Sequence, residues 1–112
     1  MKLESEQLDN GITRIALDGR LDVAGTEAID LQFTALTATQ KAKVFVDMGQ
    51  VSFIASIGMR TLLSNAKALS KRGGIMVLCN PQPLVKEALT TAGIDSLITM
   101  HDETSAALAA LA

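Results

Sequence analysis

Tryptophan and tyrosine are absent from this chain, and three phenylalanines are the only aromatics among its 112 residues. Surfaces that stack nucleic-acid bases need aromatic rings, so their scarcity argues against that partner. Basic residues are not in excess either: 10 Lys and Arg face 12 Asp and Glu, for a net charge of −2. Without a basic patch there is no electrostatic footprint for a phosphate backbone. The one cysteine, Cys79, has no partner for a disulfide within the chain, and the one histidine, His101, has no clustered companion to share a metal with. The glycines form neither a Gly-x-Gly-x-x-Gly nor a Walker pattern, which removes sequence support for a bound nucleotide. No cofactor and no metal is expected. No apolar run approaches the ~20 residues of a membrane-spanning helix, and the start lacks the basic, apolar and small-residue order of a secretory leader. The expected home is the cytoplasm, with no membrane partner.

What is present is a chain 48% apolar, rich in Ala, Leu, Ile and Val, as a packed core requires and a disordered chain lacks. Its length suits one domain spanning residues 1–112. The stretch from 44 to 63 organises the rest. Val44-Phe45-Val46 has the β-branched and aromatic composition of a buried strand. Asp47 to Gln50 interrupts it with turn chemistry, and Val51, Phe53 and Ile54 lead on to Ser56. Met59, Leu62, Leu63, Ala66 and Leu69 then recur at the spacing of one helical face. Ser56 stands just before that pattern and is expected to be its N-cap, its hydroxyl accepting from a free amide of the first turn.

In chain order, residues 2–8 read as a weak edge strand, and Asp9-Asn10-Gly11 as a hairpin turn into an amphipathic strand from Ile12 to Leu17. Arg20 to Val23 leads to a helix expected near Thr26, with Ile29, Phe33 and Leu36 on one face. Thr37 to Lys43 is a polar link. After the Ser56 helix, Lys71-Arg72-Gly73-Gly74 is a stop signal, with cations at the helix end and glycines beyond. Ile75 to Cys79 is an unbroken apolar strand. A helix begins near Pro83 and stops at Gly93, a short strand runs from Leu97 to Met100, and an Ala-rich helix opens between Asp102 and Thr104. The order ββαβαβαβα predicts an α/β fold with a mostly parallel five-stranded sheet, an antiparallel edge strand and about four helices. If the strands pair in sequence order, the crossover helices share one face, and the reversal that makes a cofactor crevice is missing.

With that order in place the chain resembles the STAS family, the anti-sigma factor antagonists of bacteria. Gly19-Arg20-Leu21-Asp22 is similar to the family's Gly-Glu-Leu-Asp stretch, and Phe53-Ile54-Ala55-Ser56-Ile57-Gly58-Met59 to its Phe-Met/Ile-Asp-Ser-Ser/Thr-Gly-Leu motif. Gly73-Gly74 and the helix from Leu84 to Gly93 sit where the family has similar features. The resemblance implies a phosphoacceptor at Ser56 and, as partner, an anti-sigma factor with serine kinase activity, a histidine-kinase-like ATPase. A serine phosphatase is the implied partner for reversal, and the protein is expected to be a monomer or weak dimer. The partner-binding face it implies holds Arg20, Asp22, Val23 and Ala24 with Ser56, Ile57, Gly58, Met59 and Arg60. Two positions depart from the pattern: Ala55 replaces the Asp before the acceptor, and Ile57 replaces the second hydroxyl. A constitutive interaction module, part of a larger signalling or transporter assembly and never phosphorylated, is the alternative.

Each residue also has a plainer reading. Ser56 can be a helix cap and nothing more, Asp22 a turn residue or helix-start anion, Arg20 a solvated cation, and Cys79 a small core hydrophobe. Met59 is expected to be partly core and Ile57 exposed. His101 reads as a surface-loop residue. A Ser56–His101 hydrolase would need the two side chains together, yet their strands are second neighbours, ~10 Å apart at ~4.8 Å per strand. The Gly-x-Ser-x-Gly elbow is also missing. No catalytic residue is expected, and the chain is read as a binding protein rather than an enzyme.

Overall fold

The computed structural model describes residues 1–38 and 42–112. Five strands, β1 (Lys2–Gln7), β2 (Ile12–Leu21), β3 (Lys43–Ile54), β4 (Ile75–Cys79) and β5 (Thr99–His101), form one sheet in sequence order. β1 runs antiparallel to β2, and the other neighbours are parallel. Four helices follow their strands: α1 (Val23–Thr37), α2 (Ser56–Lys71), α3 (Pro83–Thr91) and α4 (Thr104–Leu111). The β1–β2 turn places Asn10 and Gly11 at positive φ (63° and 72°), the conformations a tight hairpin favours. The link expected over 37–43 falls partly outside the described residues. Its ends are the last residue of α1 and the first of β3.

Alternation along the strands sorts the core into two layers. Ile15, Leu17, Val44, Val46, Met48 and Leu78 face α1, α2 and α3, which contribute Ile29, Phe33, Leu62, Leu69, Val85 and Leu89. The opposite set, Ile12, Phe45, Val77 and Cys79, packs under Ala107 and Leu111 of α4. The three crossover helices share one face, as expected, and α4 lies on the other, with Leu8 packed against the same cluster. This is why Val44–Val46 and Met76–Cys79 read as unbroken apolar runs: a strand covered on both faces has no solvent side to alternate with. Ile75, at the start of β4, is exposed. Full burial of a side chain such as Phe33 or Leu69 (0% exposed each) is worth ~1.5–3 kcal/mol. The α2 stripe contains one polar residue, Asn65. It is buried but satisfied, with Oδ1 accepting from Thr37 Oγ1 (2.9 Å) and Nδ2 donating to the Thr61 carbonyl (2.9 Å), so it ties α2 to α1.

Three expectations change. Asp47 to Gln50 is not a turn: β3 runs unbroken from Lys43 to Ile54. Between the pairs Ala16–Asp47 and Asp18–Gln50, β3 advances one residue further than β2, and it does so again between Gly19–Val51 and Arg20–Phe53. The turn-forming residues are accommodated as two bulges. The Asp47 carboxylate holds the first, accepting from the Gly49 amide (2.9 Å) and from Arg14 Nη2 (2.8 Å). The last strand is Thr99–His101 rather than 97–100, because Ile94–Ser96 forms a short 3-10 turn first; Ile98 is buried and Leu97 exposed. His101 is therefore a strand residue, half-buried beside Cys79, and not part of a surface loop.

Candidate functional site

The two bulges lengthen β3 until it ends level with β2. Leu21 pairs with Ile54, and the Ala55 amide donates to the Leu21 carbonyl (2.9 Å). That bond joins the β2–α1 loop to the β3–α2 loop. It sets the loop that carries Arg20, Asp22, Val23 and Ala24 against the start of α2 at Ser56, while Arg60, one turn on, lines a cleft with Asp30 and Thr34 of α1.

α2 starts one residue earlier than its sequence suggests. Ala55 occupies the N-cap (φ −98°, ψ 171°), its carbonyl accepting from the Met59 amide (3.1 Å), and Ser56 is the first helical residue. The expected Ser56 cap is therefore corrected. A cap side chain must leave from an extended residue to reach back to the first-turn amides, and a residue already inside the helix points its hydroxyl outward. Ala55 has no oxygen to offer, so α2 begins without a side-chain cap. Its first amides remain free and its positive end uncompensated. Ser56 is exposed, and its hydroxyl makes no hydrogen bond among the described residues.

The cap found on this side belongs to Asp22. Its Oδ1 accepts from the Gly25 amide (2.8 Å) at the start of α1. That bond, helped by the Arg20 guanidinium and opposed by desolvation, holds the Asp22 carboxyl below its ordinary value. Arg20 Nε approaches Asp22 Oδ2 at 3.5 Å with both side chains well exposed, a geometry that contributes little on its own. The same guanidinium lies 4.3 Å from the centre of the Phe53 ring, a cation–π contact of ~0.5–1 kcal/mol at an exposed site. Arg20 thus stays exposed to water while it lies across the two strand ends.

Two glycines set how closely these loops approach. A Cβ on Gly25 would overlap the Arg20 carbonyl oxygen. A Cβ on Gly58 would lie 3.0 Å from Leu21 Cβ and 3.2 Å from Ile54 Cγ1. Gly58 is buried, so its part in the expected face is to let α2 pack onto Leu21 rather than to present surface. Val23 is 56% exposed, Ala24 and Arg60 are exposed, and Ile57 and Met59 are half-buried, Met59 packing against the core. The sequence reading missed Gly25 and the apolar ground beside the site. Phe53 (39% exposed), Ile54, Leu84 (76% exposed), Val85 and Ala88 line a groove between β3 and α3. Leu84 could have been found, since it falls off the Val85–Leu89 stripe.

His101 is on β5, with β4 between it and β3, and among the described residues no hydrogen bond joins it to Ser56. Burial, reinforced by the charge of Asp47, pushes the Cys79 thiol up to about 12, the state of an unreactive core residue. Among the described residues, no three His, Cys, Asp or Glu side chains converge to hold a metal ion, and no helix is long and apolar enough to cross a membrane.

The family model of the STAS domain matches residues 5–107. The chain is 31% identical over 110 residues to a putative anti-sigma factor antagonist, BtrV, of Bordetella bronchiseptica, covering 98% of this chain and 94% of that protein. Among solved structures, an anti-sigma factor antagonist domain protein of Planctomyces limnophilus superimposes with a TM-score of 0.87 at 25% identity, over 98% of this chain and 97% of the other. The Bacillus cell-fate determinant SpoIIAA in its phosphorylated form shares the fold with a TM-score of 0.72 at 20% identity, over 99% and 100% of the two chains. Sheet order, joined loops and relatives agree: the chain belongs to the STAS family, among its anti-sigma factor antagonists.

Proposed function

We propose that this protein binds a cognate anti-sigma factor that is also a serine kinase, and that phosphorylation of Ser56 switches the binding off. The observation that carries this reading is the free, exposed Ser56 hydroxyl at an uncapped helix start, fixed beside the Asp22 loop. In the transfer, Ser56 Oγ attacks the γ-phosphorus of the kinase's ATP and the bond to the ADP oxygen breaks. The hydroxyl proton passes to a base on the kinase. Catalysis and nucleotide belong to the partner; this chain supplies the acceptor and the docking face, formed by Arg20, Asp22, Val23 and Ala24 with Ser56, Ile57, Met59 and Arg60.

The switch needs no refolding. The free amides and positive end of α2 would receive a phosphate without strain. The phosphate would add about −1.5 to −2 charges beside Val23, Ile57 and Met59. A partner packed on those apolar groups would have to desolvate the charge, at several kcal/mol unless it is paired. Relatives named anti-sigma factor antagonists support the partner class. Incubation with the anti-sigma kinase encoded nearby and ATP, followed by mass spectrometry, tests the reading: one phosphate on Ser56 is expected, and none on Ser56→Ala. Ala55 favours a second reading, a constitutive binding module, since no carboxylate precedes the acceptor. Unmodified Ser56 after incubation with active kinase would select it.

A further inference from the structure

We propose that Arg60 is the side chain that receives the phosphate on Ser56, pairing with it along α2 and so no longer free to meet a partner. The inference rests on Ser56 as the acceptor and goes beyond it, because it assigns a residue of this chain to the modified state. Ser56 and Arg60 are four residues apart on α2 and both are exposed. Side chains at that spacing are neighbours on a helix surface, and opposite charges there attract.

The other arginines are occupied. Arg14 is bound to Asp47 (2.8 Å), Arg20 lies over Phe53 and beside Asp22, and Arg72 donates to the Thr37 carbonyl (2.7 Å). Arg60 makes no ion pair or side-chain hydrogen bond among the described residues. Asp30, the carboxylate lining the same shallow cleft between α1 and α2, does not pair with it. α2 itself holds Arg60, Lys67 and Lys71 and no acid. A phosphate dianion at position 56 would therefore be the first anion that Arg60 meets along its helix. A guanidinium binds phosphate oxygens in a two-point fork. The pair would stay on the face: its guanidinium would be engaged within the chain, and the dianion, only partly balanced by one cation, would still leave a negative charge for a partner to desolvate.

The test installs phosphoserine at position 56 during translation, so it does not depend on any kinase. The second pKa of the phosphate, ordinarily about 6, is followed by phosphorus NMR in the otherwise wild-type protein and in Arg60→Ala, Arg60→Lys and Arg20→Ala. The free helix amides act equally in all four, so the comparison isolates the arginines. The expected pKa is lower by ~0.15–0.4 with Arg60 present than with Ala, the equivalent of an i,i+4 ion pair. Lys should restore part of the difference, and 1 M salt should remove most of it. Equal values in wild type and Arg60→Ala overturn the inference, as does a shift produced by Arg20→Ala instead. Failure of the kinase to modify Ser56 would overturn the proposed function and leave this measurement intact.

Discussion

Replacing Ala55 by Asp should both stabilise this protein and speed its modification, and the stabilisation can be worked out from the helix start. Ala55 already has the extended backbone of an N-cap and accepts the Met59 amide, but its methyl leaves the first-turn amides of α2 unpaired. A carboxylate at that position would accept one of them, worth ~1 kcal/mol relative to Ala, and would oppose the helix dipole by a further ~0.3–1 kcal/mol. For a domain of this size ~1 kcal/mol raises Tm by roughly 4 °C or more. The new carboxyl would titrate below its ordinary value in the fold. Its stabilisation is therefore complete above the unfolded pKa of about 4 and fades as pH falls through the lower folded value. Ala55→Asn should keep the capping gain without that pH dependence. Ser56→Ala should be nearly neutral, since Ser56 is inside the helix. Urea melts of the four proteins at pH 7 and at pH 3 provide the assay. A loss of ~1 kcal/mol in Ser56→Ala with no gain in Ala55→Asp would refute the assignment of the cap. With an active kinase, phosphorylation of Ala55→Asp should also be faster than wild type, while binding of the unmodified form stays within about tenfold, ~1.4 kcal/mol.

Gly25→Ala, which drives a methyl into the Arg20 carbonyl, should destabilise by ~1–3 kcal/mol or more, read as a lower urea midpoint. Asp47 is raised by burial, but the Gly49 amide, Arg14 and Asn80 outweigh that and hold its carboxyl below the ordinary range. Its contribution is thus full above pH ~4 and lost on acidification, and Asp47→Asn should flatten the acid limb of stability against pH. Cys79, buried and pushed up to about 12, should resist thiol reagents at pH 8 in the native protein and react on unfolding; rapid native labelling would contradict the burial.

The parts of the fold legible in the sequence were those fixed by periodicity. The α2 stripe, the doubly covered strands and the crossover helices follow from which residues must leave water. The bulges in β3 were hidden because Asp47 to Gln50 has turn chemistry locally and becomes strand only by pairing with β2, over thirty residues earlier. The cap was misplaced by one position because a serine before a helix and a serine beginning one look alike until the backbone is known. His101 reads as a loop residue in the sequence because Leu97, Ile98 and Met100 look like the whole strand, whereas the 3-10 turn at Ile94–Ser96 shifts β5 onward to Thr99–His101. Gly25 carried no local signal: its need is set by the Arg20 carbonyl across the turn, a contact that only the fold creates.

The central claim is that a phosphate on Ser56 abolishes a contact that the unmodified face makes. Calorimetry of the anti-sigma kinase against this protein, with serine or translated phosphoserine at position 56, measures it directly. The account predicts at least a tenfold weaker Kd for the phosphoserine form, ~1.4 kcal/mol or more, with the two forms melting within a few degrees of one another. Equal affinities would contradict it, and so would a phosphoserine form that binds poorly only because it has unfolded.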